Sequence, residues 1–108
     1  MVKQGDIILV NLSPTIGSEQ KGKRPALVVS NNDFQKLTKK FAIVVPITST
    51  RRNKFPLHVT LDNRTNTKGD IMCEQIKMID TVARNVEVIE SISKDKLEEV
   101  LNLISLFF

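Results

Sequence analysis

Six or seven short apolar runs, each closed within about eight residues by Gly, Pro, Asn, Asp or a polar cluster, come before a single helical pattern. That spacing leaves room for strands and turns but not for crossover helices between the strands. Gly5 to Leu12 opens on a Gly-Asp turn signal and runs as Ile-Ile-Leu-Val, rich enough in apolar residues to be buried on both faces. Arg24 to Ser30 and Phe41 to Thr48 repeat the pattern; Pro46 within the latter predicts a bulge or an edge, because proline brings no N–H to a ladder. Leu57 to Leu61 alternates, with Leu57, Val59 and Leu61 facing one way and His58 and Thr60 the other, which makes His58 a strand residue on the wet face. Extended pieces are predicted over Gly69 to Ile76, Lys77 to Val82 and Val86 to Ile89. Asn31-Asn32-Asp33 offers a cap for a short helical turn over Phe34 to Leu37.

Ser93 starts the one long helix, with Ser93 as N-cap and Asp95 in the first turn, where negative charge suits the dipole. Leu97, Val100, Leu101, Ile104 and Phe108 follow helical spacing, and Leu103, Leu106 and Phe107 widen the stripe beyond one face. A terminal helix apolar on several sides points to a homodimer; the alternative is that the last residues wrap the same barrel. At 108 residues the chain is expected to be one domain, 1–108, mainly β, a small β-barrel with a C-terminal α-helix.

Basic charge belongs to one part of the chain. Residues 1–40 hold seven Lys/Arg against three Asp/Glu (net +4), residues 41–72 five against two (+3), and residues 73–108 four against seven (−3). Such asymmetry fits an anionic partner on one face, or a solvated lysine-rich surface. No apolar run reaches the ~18 residues of a membrane span, and the N-terminus lacks the apolar region of a secretory signal. The single cysteine, Cys73, rules out an internal disulfide and suits a reducing, cytoplasmic location; in its expected strand it is a small buried hydrophobe.

The long stretch between the first two strands is the most informative. Gly17-Ser18-Glu19-Gln20-Lys21-Gly22-Lys23-Arg24-Pro25 is a polar loop with two glycines and three cations, and it stops abruptly at an arginine rooted in a strand. A movable loop ending in a fixed cation suits an anion such as an RNA phosphate. One Cys and one His exclude a zinc pattern and a two-histidine acid–base pair, and a Ser or Cys nucleophile would depend on the same His58. Asp62, Asp70, Glu74 and Asp80 lie on separate elements, so no metal site is expected, and no cofactor motif is present. What remains is arginine, hydroxyls, amides and a loop glutamate. These suffice for a reaction in which RNA supplies its own nucleophile, the 2′-OH. The protein then orients that group and stabilises the charged phosphorus centre. Arg24 is suited to charge stabilisation and to proton delivery, and the base is left open among Glu19, another group and water. On residues alone the chain is a basic β-barrel that binds an anion, with RNA cleavage among the reactions it permits.

The same residues resemble a known family. Gly5-Asp6-Ile7, the run Pro14-Thr15-Ile16-Gly17-Ser18-Glu19-Gln20-Lys21-Gly22-Lys23-Arg24-Pro25-Ala26, Pro46-Ile47-Thr48-Ser49, and Asp70 to Lys77 closely resemble the MazF/PemK/Kid ribonuclease toxins of bacterial toxin–antitoxin modules, while residues 84–108 match in pattern only. The resemblance implies an SH3-like barrel of the CcdB/PemK kind, a cytoplasmic homodimer, and a metal-independent endoribonuclease that cuts single-stranded RNA (mRNA) to a 2′,3′-cyclic phosphate and a 5′-hydroxyl. It implies Arg24 and Thr48 as catalytic residues. Ser18, Glu19, Gln20, Ser49 and Gln75 become contacts to RNA or antitoxin, with Arg51 and Arg52 attracting the RNA backbone. The implied protein partner is an acidic, MazE-like antitoxin. The alternative is a non-enzymatic, CcdB-like poison of a protein target such as DNA gyrase, and a weaker one is a general nucleic-acid-binding barrel. Base readout would come from loops 15–23, 49–56 and 62–69; Arg84 would serve either the site or the dimer.

Overall fold

A computed structural model describes residues 1–12, 22–50 and 56–108. Strands β1 (Asp6–Val10) and β2 (Arg24–Val28) pair antiparallel, with Ile7 opposite Leu27 and Val10 opposite Arg24. Asn31 caps α1 (Asn32–Thr38), its side chain accepting from the Phe34 amide at 2.8 Å. Strand β3 (Phe41–Thr48) follows, then β4 (His58–Thr60), β5 (Asp70–Met72), β6 (Lys77–Asp80), β7 (Glu87–Ser91) and α2 (Lys94–Ser105). The seven strands form one sheet in the order β4-β5-β3-β2-β1-β7, with β6 also on β3. The sheet curls around its core without closing, so the fold is mainly β and barrel-like with a C-terminal helix.

The alternation of β1 explains its continuous apolar run. Ile7 enters one core cluster with Leu27, Val45, Ile47, Val59, Ile71 and Val100, while Ile8 and Val10 enter another with Ala26, Val28, Ala42 and Val44. Fully burying side chains of this size stabilises by about 1.5–3 kcal/mol each. Leu97, Leu101, Leu103, Ile104 and Phe107 of the α2 region pack on the first cluster, whereas Leu106 and Phe108 stay exposed.

Three local expectations change. Pro46 makes neither an outer edge nor a bulge: it sits opposite Ala26, on the central strand. Its tolerance has another cause. On its second side β3 pairs with β6 over Phe41–Val44 and with β5 over Ile47–Thr48, and Pro46 falls in the gap between these partners. Strand β5 ends at Met72, not Ile76, because the Gln75 amide turns back to the Met72 carbonyl at 3.1 Å. Cys73 therefore follows the strand; it is fully buried as expected, and burial pushes its thiol up to about 12. Ser93 occupies the N-cap with extended backbone, but its side chain makes no cap bond.

Candidate active site

Pro25, at the end of the pairing between β2 and β3, opens the site. The ladder from β2 to β1 continues through Arg24, but the ladder from β2 to β3 stops at Ala26–Pro46. The Val29 amide bonds the Ile43 carbonyl and the Gly5 amide the Val28 carbonyl, so by alternation Pro25 faces β3 and lacks the amide that the next rung would use, whereas Pro46 faces the other side of β3. Continuing the register sets Arg24 across from Thr48. Both belong to the face that carries Ala26, Val28 and Val44.

A cleft of about 450 Å³ lies where the β2–β3 ladder stops, lined by Arg24, Thr48, Ser49, Met72 and Lys68 among others. Arg24 is exposed, and no described residue pairs with its guanidinium. The Thr48 hydroxyl accepts the Thr50 amide at 3.1 Å, which leaves its own hydrogen to donate into the cleft. Arg24 and Thr48 thus offer a charged donor fork and a neutral donor from adjoining strands, an arrangement suited to phosphate oxygens.

Of the other sequence-predicted contacts, Ser49 lines this cleft. Gln75 lies in an adjoining hollow of about 520 Å³ that shares Leu12, Pro46 and Met72 with the first. Ser18, Glu19, Gln20, Arg51 and Arg52 lie outside the described residues. Arg84 serves the cleft's margin: its guanidinium donates to the Asn11 carbonyl at 2.6 Å, and Lys23 donates to the Asn85 carbonyl at 2.7 Å. The turn at 84–85 therefore holds the chain on both sides of residues 13–21.

His58 is not on a wet face. Alternation aims it away from the Val59 side as expected, but that side is covered, and the ring is only 7% exposed. Its Nε2 lies 3.3 Å from the Glu74 carboxylate and its Nδ1 3.8 Å from Asp70, which also accepts the Thr60 hydroxyl at 2.8 Å. Asp70 is the ladder partner of Thr48, so this cluster braces β4 and β5 beside the cleft. Among the described residues no group of three or more His, Cys, Asp or Glu could hold a metal ion.

The 62–69 loop, expected from the sequence to take part in base readout, lines the cleft through Lys68 and is held by contacts that the sequence does not show. Gly69 has φ +124°, and a Cβ built there would lie 2.1 Å from the Thr48 carbonyl oxygen. Only glycine lets the loop approach the cleft strand this closely. Glu90 of β7 accepts the Asn66 amide at 3.0 Å and the Thr67 amide and hydroxyl at 2.8 and 2.6 Å. Burial raises the Glu90 carboxyl, but the Thr67 hydroxyl, the two amides and nearby Lys68 outweigh it and leave the group below its ordinary value. Arg64 clasps Asp62 (2.7 Å) and Asp95 of α2 (2.9 Å). The Gly-Asp turn signal marked this loop's end; nothing in the sequence marked Glu90.

A family model described as PemK-like, MazF-like toxin of type II toxin–antitoxin system matches residues 3–108. Endoribonuclease PemK of Escherichia coli is 37% identical over 109 residues, covering 96% of this chain and 80% of that protein. Endoribonuclease EndoA of Bacillus subtilis (strain 168) is also 37% identical, covering 95% and 93%. A chain from the MazE–MazF crystal structure (Form-III) of Deinococcus radiodurans superposes with a TM-score of 0.84 at 25% identity, covering 98% of this chain and 94% of that one.

Proposed function

Because this chain belongs to the PemK-like, MazF-like toxin family of type II toxin–antitoxin systems, we propose that it is an endoribonuclease toxin. It cuts single-stranded RNA without a metal ion and is neutralised by an acidic antitoxin. The observation that carries this reading is that Arg24 and Thr48, from adjoining strands, line one cleft, and that the Thr48 hydroxyl accepts the Thr50 amide, which leaves its hydrogen to donate.

The 2′-oxygen attacks the adjacent phosphorus as the P–O5′ bond breaks. The 2′-proton leaves to a base and the 5′-oxygen gains a proton, giving a 2′,3′-cyclic phosphate and a 5′-hydroxyl. Arg24 neutralises the non-bridging oxygens, whose charge grows as the pentacoordinate centre forms, and Thr48 donates to the same group. Ser49 extends the contact along the strand, and Gln75 takes a nucleotide beyond Met72. The antitoxin's acidic segment competes for the same basic groove. A second copy of the chain covers the exposed Leu106 and Phe108, and the dimer works in the bacterial cytoplasm. A poison that only binds a protein target needs no such convergence of Arg24 and Thr48.

Incubation with a long single-stranded RNA in EDTA, followed by end-group mapping, tests the reading. Cuts at one short sequence with cyclic-phosphate and 5′-hydroxyl ends are expected. Products ending in 3′-hydroxyl, or activity abolished by EDTA, would overturn it.

A further inference from the structure

Lys68 faces the same cleft as Arg24 and Thr48, yet the chemistry above gives it no part. Its mounting is unusually well fixed for a surface lysine. The residue after it, Gly69, packs against the Thr48 backbone. The two residues before it, Asn66 and Thr67, are bound by the Glu90 carboxylate. Further back, Thr65 is buried, its hydroxyl donating to the Thr67 carbonyl at 2.8 Å, and Arg64 joins the loop to α2. The Leu61 amide closes the loop on the Gly69 carbonyl at 2.9 Å.

The charge at this fixed point is unspent. The Lys68 ammonium donates to the Thr65 carbonyl at 2.9 Å, a neutral acceptor that uses one of its three hydrogens. Among the described residues no carboxylate lies within ion-pair distance of it. Glu90 lowers the local potential but directs its oxygens to Asn66 and Thr67. Thr48 stands between β2 and β5 in the sheet, so Arg24 and Lys68 approach the cleft from opposite sides of it.

We propose that Lys68 is a further substrate-binding residue, its ammonium taking the RNA phosphate next to the one held between Arg24 and Thr48. This rests on the endoribonuclease reading. Because the loop is fastened before substrate arrives, the contact forms with little ordering cost. A lysine–phosphate contact carries no base information, so it adds affinity equally across sequences.

The test measures binding of a non-cleavable, 2′-O-methyl single-stranded RNA across a range of KCl concentrations, for the wild type, Lys68→Gln and Lys68→Arg, with thermal melts of each. Losing one phosphate contact lowers the slope of log K against log salt by about 0.7. Lys68→Gln is expected to show that loss, with roughly fivefold weaker binding at low salt for every RNA sequence and an unchanged melt. Lys68→Arg is expected to keep the wild-type slope. An unchanged slope in Lys68→Gln, while the wild type still cuts RNA, would overturn this inference and leave the endoribonuclease reading standing. A wild type that neither binds nor cuts RNA would overturn both. Loss of binding to an acidic peptide with RNA binding intact would assign the lysine to a protein partner and also overturn the proposal.

Discussion

The cleft has two walls, and they are built by different means. On the Arg24 side, position follows from ladder register: Val10, Arg24 and the residues of β3 are placed by backbone pairing with buried neighbours. On the Lys68 side, position follows from side chains and one glycine: Glu90, Arg64 and Gly69 pin a loop that has no ladder of its own. A register-built wall tolerates change at its exposed side chains, because the backbone does not depend on them. A clasp-built wall moves when a clasp is removed. The difference teaches where function and stability should separate in this fold and where they should fall together.

The largest expected effect breaks function alone. Arg24→Ala should lower the single-turnover cleavage rate by about 10²–10³-fold, the loss typical of one donor to a developing anion. Since the side chain is exposed and unpaired among the described residues, the thermal midpoint should stay near wild type. A large drop in that midpoint would show that the Arg24 wall is not held by register.

Next comes a glycine pair that contrasts the walls directly. Gly69→Ala forces a Cβ into the Thr48 carbonyl at a φ that L-residues rarely adopt. It should cost stability by about 2–3 kcal/mol, and by shifting Thr48 it should slow cleavage by up to about 100-fold. Gly22 also has positive φ (+84°), but a Cβ there meets nothing within 4 Å. Gly22→Ala should therefore cost only the conformational strain, about 1 kcal/mol. Chemical denaturation of both variants, paired with cleavage rates, checks the contrast.

A smaller effect concerns acid. The Glu90 carboxyl is held below its ordinary value in the folded chain. A depressed carboxyl adds stability above its unfolded pKa and loses that contribution as pH falls through the folded value. The wild type should lose part of its stability as pH drops below about 4.5, and Glu90→Gln should be less stable at pH 7 with a flatter acid limb. Melts at successive pH values would show the two curves converging in acid.

The smallest effect belongs to Arg64. Hydrogen bonds from Arg64 hold Asp62 down to about 2 and lower Asp95 as well, while the two carboxylates raise the guanidinium in turn. All three groups are exposed, so the gain is screened by solvent. Arg64→Gln should lower the midpoint slightly at pH 7. By the same sign argument the difference should fade as pH falls from about 3.8 toward about 2. A large neutral-pH loss would mean that the α2 clasp carries more of the loop than the Glu90 clasp.

The two walls were also unequally legible in the sequence. Strands β1 to β4 and helix α2 could be read because periodicity and turn residues carry local information. Arg24 stood out because an Arg-Pro step ends a long polar loop at a strand, and Thr48 entered through resemblance at the end of β3. The Lys68 wall depends on contacts distant in sequence: Glu90 lies 24 residues from Asn66, and no local pattern announces it. Gly69 could be read as a turn residue, but its approach to Thr48 could not. Met72, Glu74 and Ile76 alternate as a strand would, so the pattern does not reveal that β5 ends at Met72 and the chain turns at Gln75. Alternation gives the face that His58 takes but not the Glu74 and Asp70 side chains beside it there, which leave the ring buried.

On the proposed reading, this protein's cleft places donors around a phosphate and RNA itself supplies the nucleophile. The most direct measurement uses two short RNAs identical except for one 2′-deoxy sugar on the 5′ side of the mapped cut. Cleavage of the all-ribose strand in EDTA, with the deoxy strand intact but bound as tightly, is the predicted result. Equal cleavage of both strands at that position would contradict the account.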